Sequence, residues 1–160
     1  MNKPTHLDSD GKARMVNVGE KEITNRQARA TVSVKLNETS FEIARENRSA
    51  KGDVITVAKL AGIQAAKKTS ELIPLCHQLP LNHVEIEFEF DQSQNMIKIF
   101  STVRCSSRTG VEMEALTACS VAALTVYDML KAVHKDIVIS DLMLLEKTGG
   151  KSGDFGRENT

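Results

Sequence analysis

The sequence predicts an α+β fold, one antiparallel sheet with helices on a single face, and three stretches carry that prediction. "HVEIEFEF" (83–90) alternates Val84, Ile86, Phe88 and Phe90 with Glu85, Glu87 and Glu89, the pattern of a strand buried on one side and wet on the other. "DQSQN" turns the chain, and "MIKIFSTVRC" (96–105) runs back as its antiparallel partner. "TGVEMEALTACSVAALTVYDMLKAV" (109–133) is a long Ala-rich helix whose small residues suit it to lie flat on a sheet.

The other elements follow along the chain. Residues 1–14 and 149–160 are polar or Gly-rich without periodicity, so a mobile N-terminal arm and a flexible C-terminal tail are expected to flank one domain. "ARATVSVKL" (28–36) places Val32, Val34 and Leu36 on one face of a strand. "TSFEIARENR" (39–48) has helical spacing, with Phe41, Ile43 and Ala44 inward. After a turn at "SAKGD", Asp53 is the expected N-cap of the helix "VITVAKLAGIQAAKKTSELI", which Pro74 stops. "DIVISDLMLLEK" (136–147) supplies the last strand. Strand, helix, helix, two hairpin strands, helix, strand is the order of a ferredoxin-like split β-α-β sandwich with an extra helix. That fold serves enzymes, regulatory modules and RNA binders alike, so function has to come from a site.

Composition narrows the classes. A chain of 160 residues, 41% hydrophobic, suffices for one domain with a real core. No run approaches the length of a membrane span, and "MNKPTHLDSDGK" is too polar for a secretory signal, so a cytoplasmic protein without membrane attachment is expected. Cys76, Cys105 and Cys119 form no spaced framework, which fits reduced thiols. Lys+Arg and Asp+Glu balance at 21 each, aromatics are 4% and Trp is absent, which disfavours a nucleic-acid partner. Any anion site must be local.

"LIPLCHQLPL" (72–81) sets Cys76 and His77 between Pro74 and Pro80. A buried connector is the plain reading. As zinc ligands, His77 and His83 miss the usual spacings and no fourth ligand is near. As a nucleophile pair, adjacent Cys and His seldom face one another. A proline-stiffened loop presenting its polar groups to a substrate survives. "GGKSG" (149–153) holds a Gly-Lys-Ser triplet, but Leu145 stands where a phosphate loop begins with Gly, and no helix pattern follows. It reads as a solvated tail, or as one that closes with Lys147 or Lys151 over an anion. Glu112 and Glu114 occupy a first helical turn, where the macrodipole favours carboxylates anyway. Asp128 and Lys131, three apart, read as a surface pair or as a partly buried acid and amine tuned for proton transfer. Lys51, beside Gly52, reads as a turn lysine.

Six ordered segments, "KGDV" (51–54), "AGIQAAKKT" (61–69), "ELIPLCH" (71–77), "TGVEMEALTA" (109–118), "AALTVYDMLKAV" (122–133) and "GGKSGDF" (149–155), resemble the MoaC family, the cyclic pyranopterin monophosphate synthases of molybdenum cofactor biosynthesis. Two positions depart from the family's usual pattern: Asn17 stands in place of Asp, and Gln78 in place of Pro. The resemblance implies a lyase reaction that needs no metal and no cofactor. A cyclised GTP, 3',8-cyclo-7,8-dihydro-GTP, supplied by a radical S-adenosylmethionine GTP cyclase, becomes cyclic pyranopterin monophosphate with loss of pyrophosphate. It further implies that Asp128, Lys131 and Lys51 do the catalytic work. Leu75, Cys76, His77, Glu112, Met113 and Glu114 would contact the substrate, and Arg26, Arg108 and Lys147 would bind its phosphates. Helix rise puts Glu114 and Asp128 about 21 Å apart. If both serve one site, the protein is a homo-oligomer with composite sites at a dimer interface, and the resemblance makes it a hexamer, a trimer of dimers. Ala115, Ala118, Ser120, Ala122 and Ala123 are expected to pack either on a partner or on the chain's own sheet.

Overall fold

A computed structural model describes residues 10–151 and 153–157. Residues 1–9 of the expected arm, and residues 152 and 158–160 of the expected tail, lie outside the described residues. The elements are β1 (Thr24–Lys35), α1 (Glu38–Arg45), α2 (Val54–Lys67), α3 (Thr69–Leu72), β2 (Leu81–Asp91), β3 (Met96–Ser107), α4 (Glu112–Leu130), β4 (Val138–Thr148) and β5 (Phe155–Gly156). The sheet has the order β2-β3-β1-β4-β5, and every pair is antiparallel. Its first four strands have the ferredoxin-like order, so the predicted α+β class is what the chain adopts.

Period-two alternation buries one face of β1, where Ala28, Ala30, Val32 and Val34 are all inaccessible. Ile97, Ile99 and Val103 on β3 continue that face, and α2 and α4 cover it. The small residues on the helices set how closely they approach. Ala115, Ala118, Ala122 and Ala123 of α4 are fully buried. On α2, a Cβ at Gly62 would lie 3.0 Å from the Ala118 carbonyl and 3.3 Å from the Ala122 methyl. The alanine stripe therefore packs within its own chain, the plainer of the two expectations. The Ser101 hydroxyl donates to the Ala115 carbonyl (2.7 Å) and accepts from the Cys119 thiol (3.2 Å), tying α4 to β3. Burial pushes that thiol up to about 11.

Besides shifts of one to three residues at other ends, three differences from the sequence reading have an identifiable cause. β1 starts at Thr24, four residues early, because its polar first turns still find β3, from Thr24 opposite Ser107 onward. The expected 54–73 helix breaks at Lys68, whose N–H reaches back to Ala65, while the Thr69 hydroxyl bonds the Ala65 and Ala66 carbonyls. Ile73 is then extended, as a residue before proline prefers. The segment expected to be a flexible tail holds a turn at Gly149 and Gly150 and the short strand β5, which pairs Phe155 with Lys147 on β4. No periodicity in so short a strand could announce it. α4 is long and apolar enough to cross a membrane by composition alone, yet half of it is buried against α2 and the sheet.

Candidate functional site

The core face of the sheet does not end where its apolar residues do. Alternation puts Arg26 on the same face as Ala28, one pleat beyond the core, and register places it opposite Cys105. Lys147 pairs with Ala28 across β1 and β4. Both cations thus emerge where β3 hands over to α4. There Arg26, Arg108 and Lys147, joined by Lys21, Lys151, Glu22 and Glu112, line a cleft of about 410 Å³. A second cleft of about 370 Å³ is lined by Leu75, Cys76 and His77 of the proline-flanked loop, Met113 and Glu114 of α4, and Val16 and Val18. Lys21, Thr109, Gly110 and Glu112 line both, so cation cleft and loop cleft are contiguous. A larger concavity of about 660 Å³ lies on the bare sheet face around Phe100 and contains none of the predicted residues.

Each side chain there has an identifiable constraint. Three of the donors of Arg26 go to main-chain carbonyls: Nη1 to Gly149 (3.1 Å), Nε to Ser107 (3.4 Å) and Nη2 to Arg108 (3.4 Å). Gly149 and Gly150 have φ of +90° and +88°, and a Cβ on Gly150 would occupy the Arg26 guanidinium. Asp154 accepts the Gly149 N–H at 3.0 Å. Arg108 Nε donates to the Lys21 carbonyl (2.9 Å), and Lys147 Nζ lies 2.8 Å from Glu112 Oε1. His77 Nε2–H donates to the Val16 carbonyl at 2.8 Å, which fixes the ring against the N-terminal segment. Burial, and then the Glu114 charge, raise the Cys76 thiol, so at neutral pH it is no ready nucleophile.

Glu114 differs from its neighbour. It is 4% exposed and, among the described residues, pairs with no Lys, Arg or His of its own chain. Burial, with the Glu112 charge adding to it, pushes its carboxyl up to about 7. The helix N-terminus favours an anion there by about 0.3–1 kcal/mol, less than one pKa unit, so burial prevails.

The remaining predicted residues lie at the other end of α4. Asp128 Oδ1 accepts from Lys131 Nζ at 2.7 Å and Oδ2 from Lys51 Nζ at 3.2 Å. Lys51 also donates to the Asp128 carbonyl at 2.8 Å, from a turn closed by the Gly52 N–H on the Ser49 carbonyl. The two lysines, Lys131 first, hold the Asp128 carboxyl below the usual carboxylate range, and Asp128 raises Lys131 in return. All three side chains are exposed, so the partial burial considered for Asp128 and Lys131 does not hold within one chain: the preceding apolar run turns its buried face elsewhere. His83 lines another cleft beside Glu85, and among the described residues no three His, Cys, Asp or Glu converge as metal ligands.

The residues missed in the sequence are Lys21 and Val16, whereas Gly149, Gly150 and Lys151 of the GGKSG segment, considered for closing over an anion, do line the cation cleft. Lys21 sits in a turn, its N–H on the Val18 carbonyl, with no motif to mark it. Of the two departures, Asn17 accepts the Gly19 N–H at 2.9 Å through Oδ1, a bond an Asp would make equally well, and Gln78 is solvent-exposed.

Residues 15–150 match the model of the MoaC family. A protein of Herpetosiphon aurantiacus named cyclic pyranopterin monophosphate synthase is 53% identical over 151 residues, covering 94% of this chain and 92% of that one. One of the same name from Peptoclostridium acidaminophilum is 51% identical over 155 residues, covering 97% and 98%. With a family match over residues 15–150 and this similarity over nearly its whole length, the chain belongs to the MoaC family.

Proposed function

We propose that this chain is a cyclic pyranopterin monophosphate synthase: it converts 3',8-cyclo-7,8-dihydro-GTP to cyclic pyranopterin monophosphate and releases pyrophosphate. The observation that carries this reading is the contiguity of the two clefts. A triphosphate needs several cations in one place, and Arg26, Arg108, Lys147 and Lys21 are gathered beside a pocket of hydrogen-bonding groups on a stiff loop and a helix end. The substrate comes from a radical S-adenosylmethionine GTP cyclase, and the three unpaired thiols favour a cytoplasmic setting.

Asp128, Lys131 and Lys51 supply the acid and base groups, and they serve the clefts of a neighbouring copy. The span of α4 between Glu114 and Asp128, about 21 Å, is too long for one small pocket. Leu60 of α2 and Leu124 of α4, 62% and 58% exposed on the outer helix faces, are apolar surface for such contacts. A symmetric dimer brings one copy's helix start to the other copy's helix end, and three dimers make the hexamer. Incubating the purified protein with the cyclised nucleotide tests the reaction. Pyranopterin and pyrophosphate in equal amounts are expected, and binding without turnover overturns it in favour of a regulatory module.

A further inference from the structure

Arg26 joins the two walls of the cation cleft through main-chain atoms. One wall is the passage from β3 into α4, which carries Arg108; the other is the end of β4 and the turn after it, which carry Lys147 and Lys151. Arg26 Nε and Nη2 donate to the Ser107 and Arg108 carbonyls of the first wall, and Nη1 donates to the Gly149 carbonyl of the second. Three of the five N–H donors of a guanidinium are thus spent on holding backbone. The turn is shaped to receive it. Thr148 is still paired with Gln27 of β1, and past it Gly149 and Gly150 take φ of +90° and +88°. A Cβ at Gly149 would run into the Asn25 carbonyl, and one at Gly150 into the Arg26 guanidinium, so two glycines let the turn lie against the start of β1. Asp154 fastens its far side by accepting the Gly149 N–H (3.0 Å), and the Gly153 N–H reaches the Gly150 carbonyl (3.3 Å). The contacts of Arg26 are made within one chain to carbonyl oxygens, so they rest on no ionisation state.

We propose that Arg26 is a positioning residue for phosphate binding: it fixes the Gly149–Gly150 turn against the β3–α4 connection, and so sets the separation of the cations on the two walls to that of a pyrophosphate unit. This rests on the synthase reading above and deepens it, since the leaving pyrophosphate is the part of the substrate that spans the cleft. Without Arg26 the turn keeps its sequence, but Lys151 loses its fixed place relative to Arg108 and Lys147. A diphosphate that bridges two walls then has to supply the entropy of ordering one of them, and affinity falls. Gly150 is the other half of the device. An alanine there displaces the guanidinium without removing a charge from the cleft.

The experiment compares the assembled wild-type protein with Arg26→Ala, Arg26→Lys and Gly150→Ala, using inorganic pyrophosphate as the probe. Hydrogen exchange of the ligand-free proteins should rise, in all three variants, in the peptide that carries Gly149 and Gly150. Calorimetry should show pyrophosphate binding weakened about tenfold in each. With the cyclised nucleotide, KM should rise about tenfold while kcat stays within about threefold, because the turn does not touch the reacting atoms. Arg26→Lys is expected not to rescue, since an ammonium keeps the charge but lacks the fork that reaches three carbonyls. If Arg26→Ala fails to assemble, Gly150→Ala, in a turn outside the hydrophobic core, carries the same comparison. Weakened pyrophosphate binding in Arg26→Ala with unchanged exchange at the turn makes Arg26 a direct phosphate ligand and overturns the proposal. Full rescue by lysine, wild-type pyrophosphate affinity in Gly150→Ala, or no pyrophosphate binding by wild type overturns it as well. Wild type that binds pyrophosphate as expected but does not turn over the cyclised nucleotide overturns the synthase reading instead, an outcome distinct from these.

Discussion

Lys147 Nζ lies 2.8 Å from Glu112 Oε1, so the last long strand is clamped to the first turn of the longest helix across the mouth of the cation cleft. Both side chains are about a quarter to a third exposed, which places the pair between a solvated surface bridge and a buried one. A double-mutant cycle with Lys147→Ala and Glu112→Ala, read by urea unfolding, should give a coupling of about 0.5–1 kcal/mol. Under the proposed function Lys147→Ala should also raise KM about tenfold with little change in kcat, since there the lysine binds phosphate and carries no proton. Zero coupling would mean that the bridge does not persist in solution.

Lys51→Ala and Lys131→Ala are each expected to abolish product formation while leaving the far-ultraviolet circular dichroism and Tm unchanged. Both side chains are exposed within the chain, where each loses only a solvent-exposed pairing with Asp128, worth little to the fold. Asp128→Asn should leave both ammonium groups in place without their shared anion, lowering Lys131 toward its ordinary value. Full activity in either lysine variant would remove that residue from the catalytic set.

Mixing Glu114→Ala protein with Lys131→Ala protein tests the composite site directly. In a mixed dimer one site collects both lesions and the other has none. Half of the dimers are mixed at random exchange, so activity should return to about a quarter of wild type. Mass-labelled subunits would show that exchange took place. Exchange without any recovery, or an active monomer, is incompatible with a site shared between chains.

Stability should depend on pH through Glu114. Its folded value of about 7 lies above its ordinary 4.5, so between those values the folded state holds a proton that the unfolded chain has released. The stabilising contribution is complete below about 4.5, declines as pH rises through 7, and is then gone. The full span is worth on the order of 3 kcal/mol. Unfolding by urea at a series of pH values and fixed protein concentration should show this decline in wild type and not in Glu114→Gln. A slope shared by both proteins would assign the effect to another group.

The core-forming elements were legible because each has a periodicity that its own residues declare. The Val84–Phe90 alternation, the Asp53 cap, whose side chain accepts the Thr56 N–H at 2.9 Å, and the small-residue face of α4 are local facts, and tertiary packing agreed with them. The residue types proposed for the site stand in short runs, "LCH", "VEME" and "YDMLK"; residues of the first two line the loop cleft, while the third lies at the far end of α4. Packing decided everything that depends on distance in space. Arg26 and Gly150 are far apart in the chain, and only the β1–β4 pairing shows that one must lack a side chain for the other to fit. Lys21 carries no motif and earns its place by lying between two clefts. Glu112 and Glu114 look interchangeable as letters in a first turn. Their difference within the chain, one held by a lysine on β4 and the other buried and, among the described residues, unpaired with a cation, comes from desolvation and pairing, which no sequence pattern encodes because both arise from groups that only folding brings near.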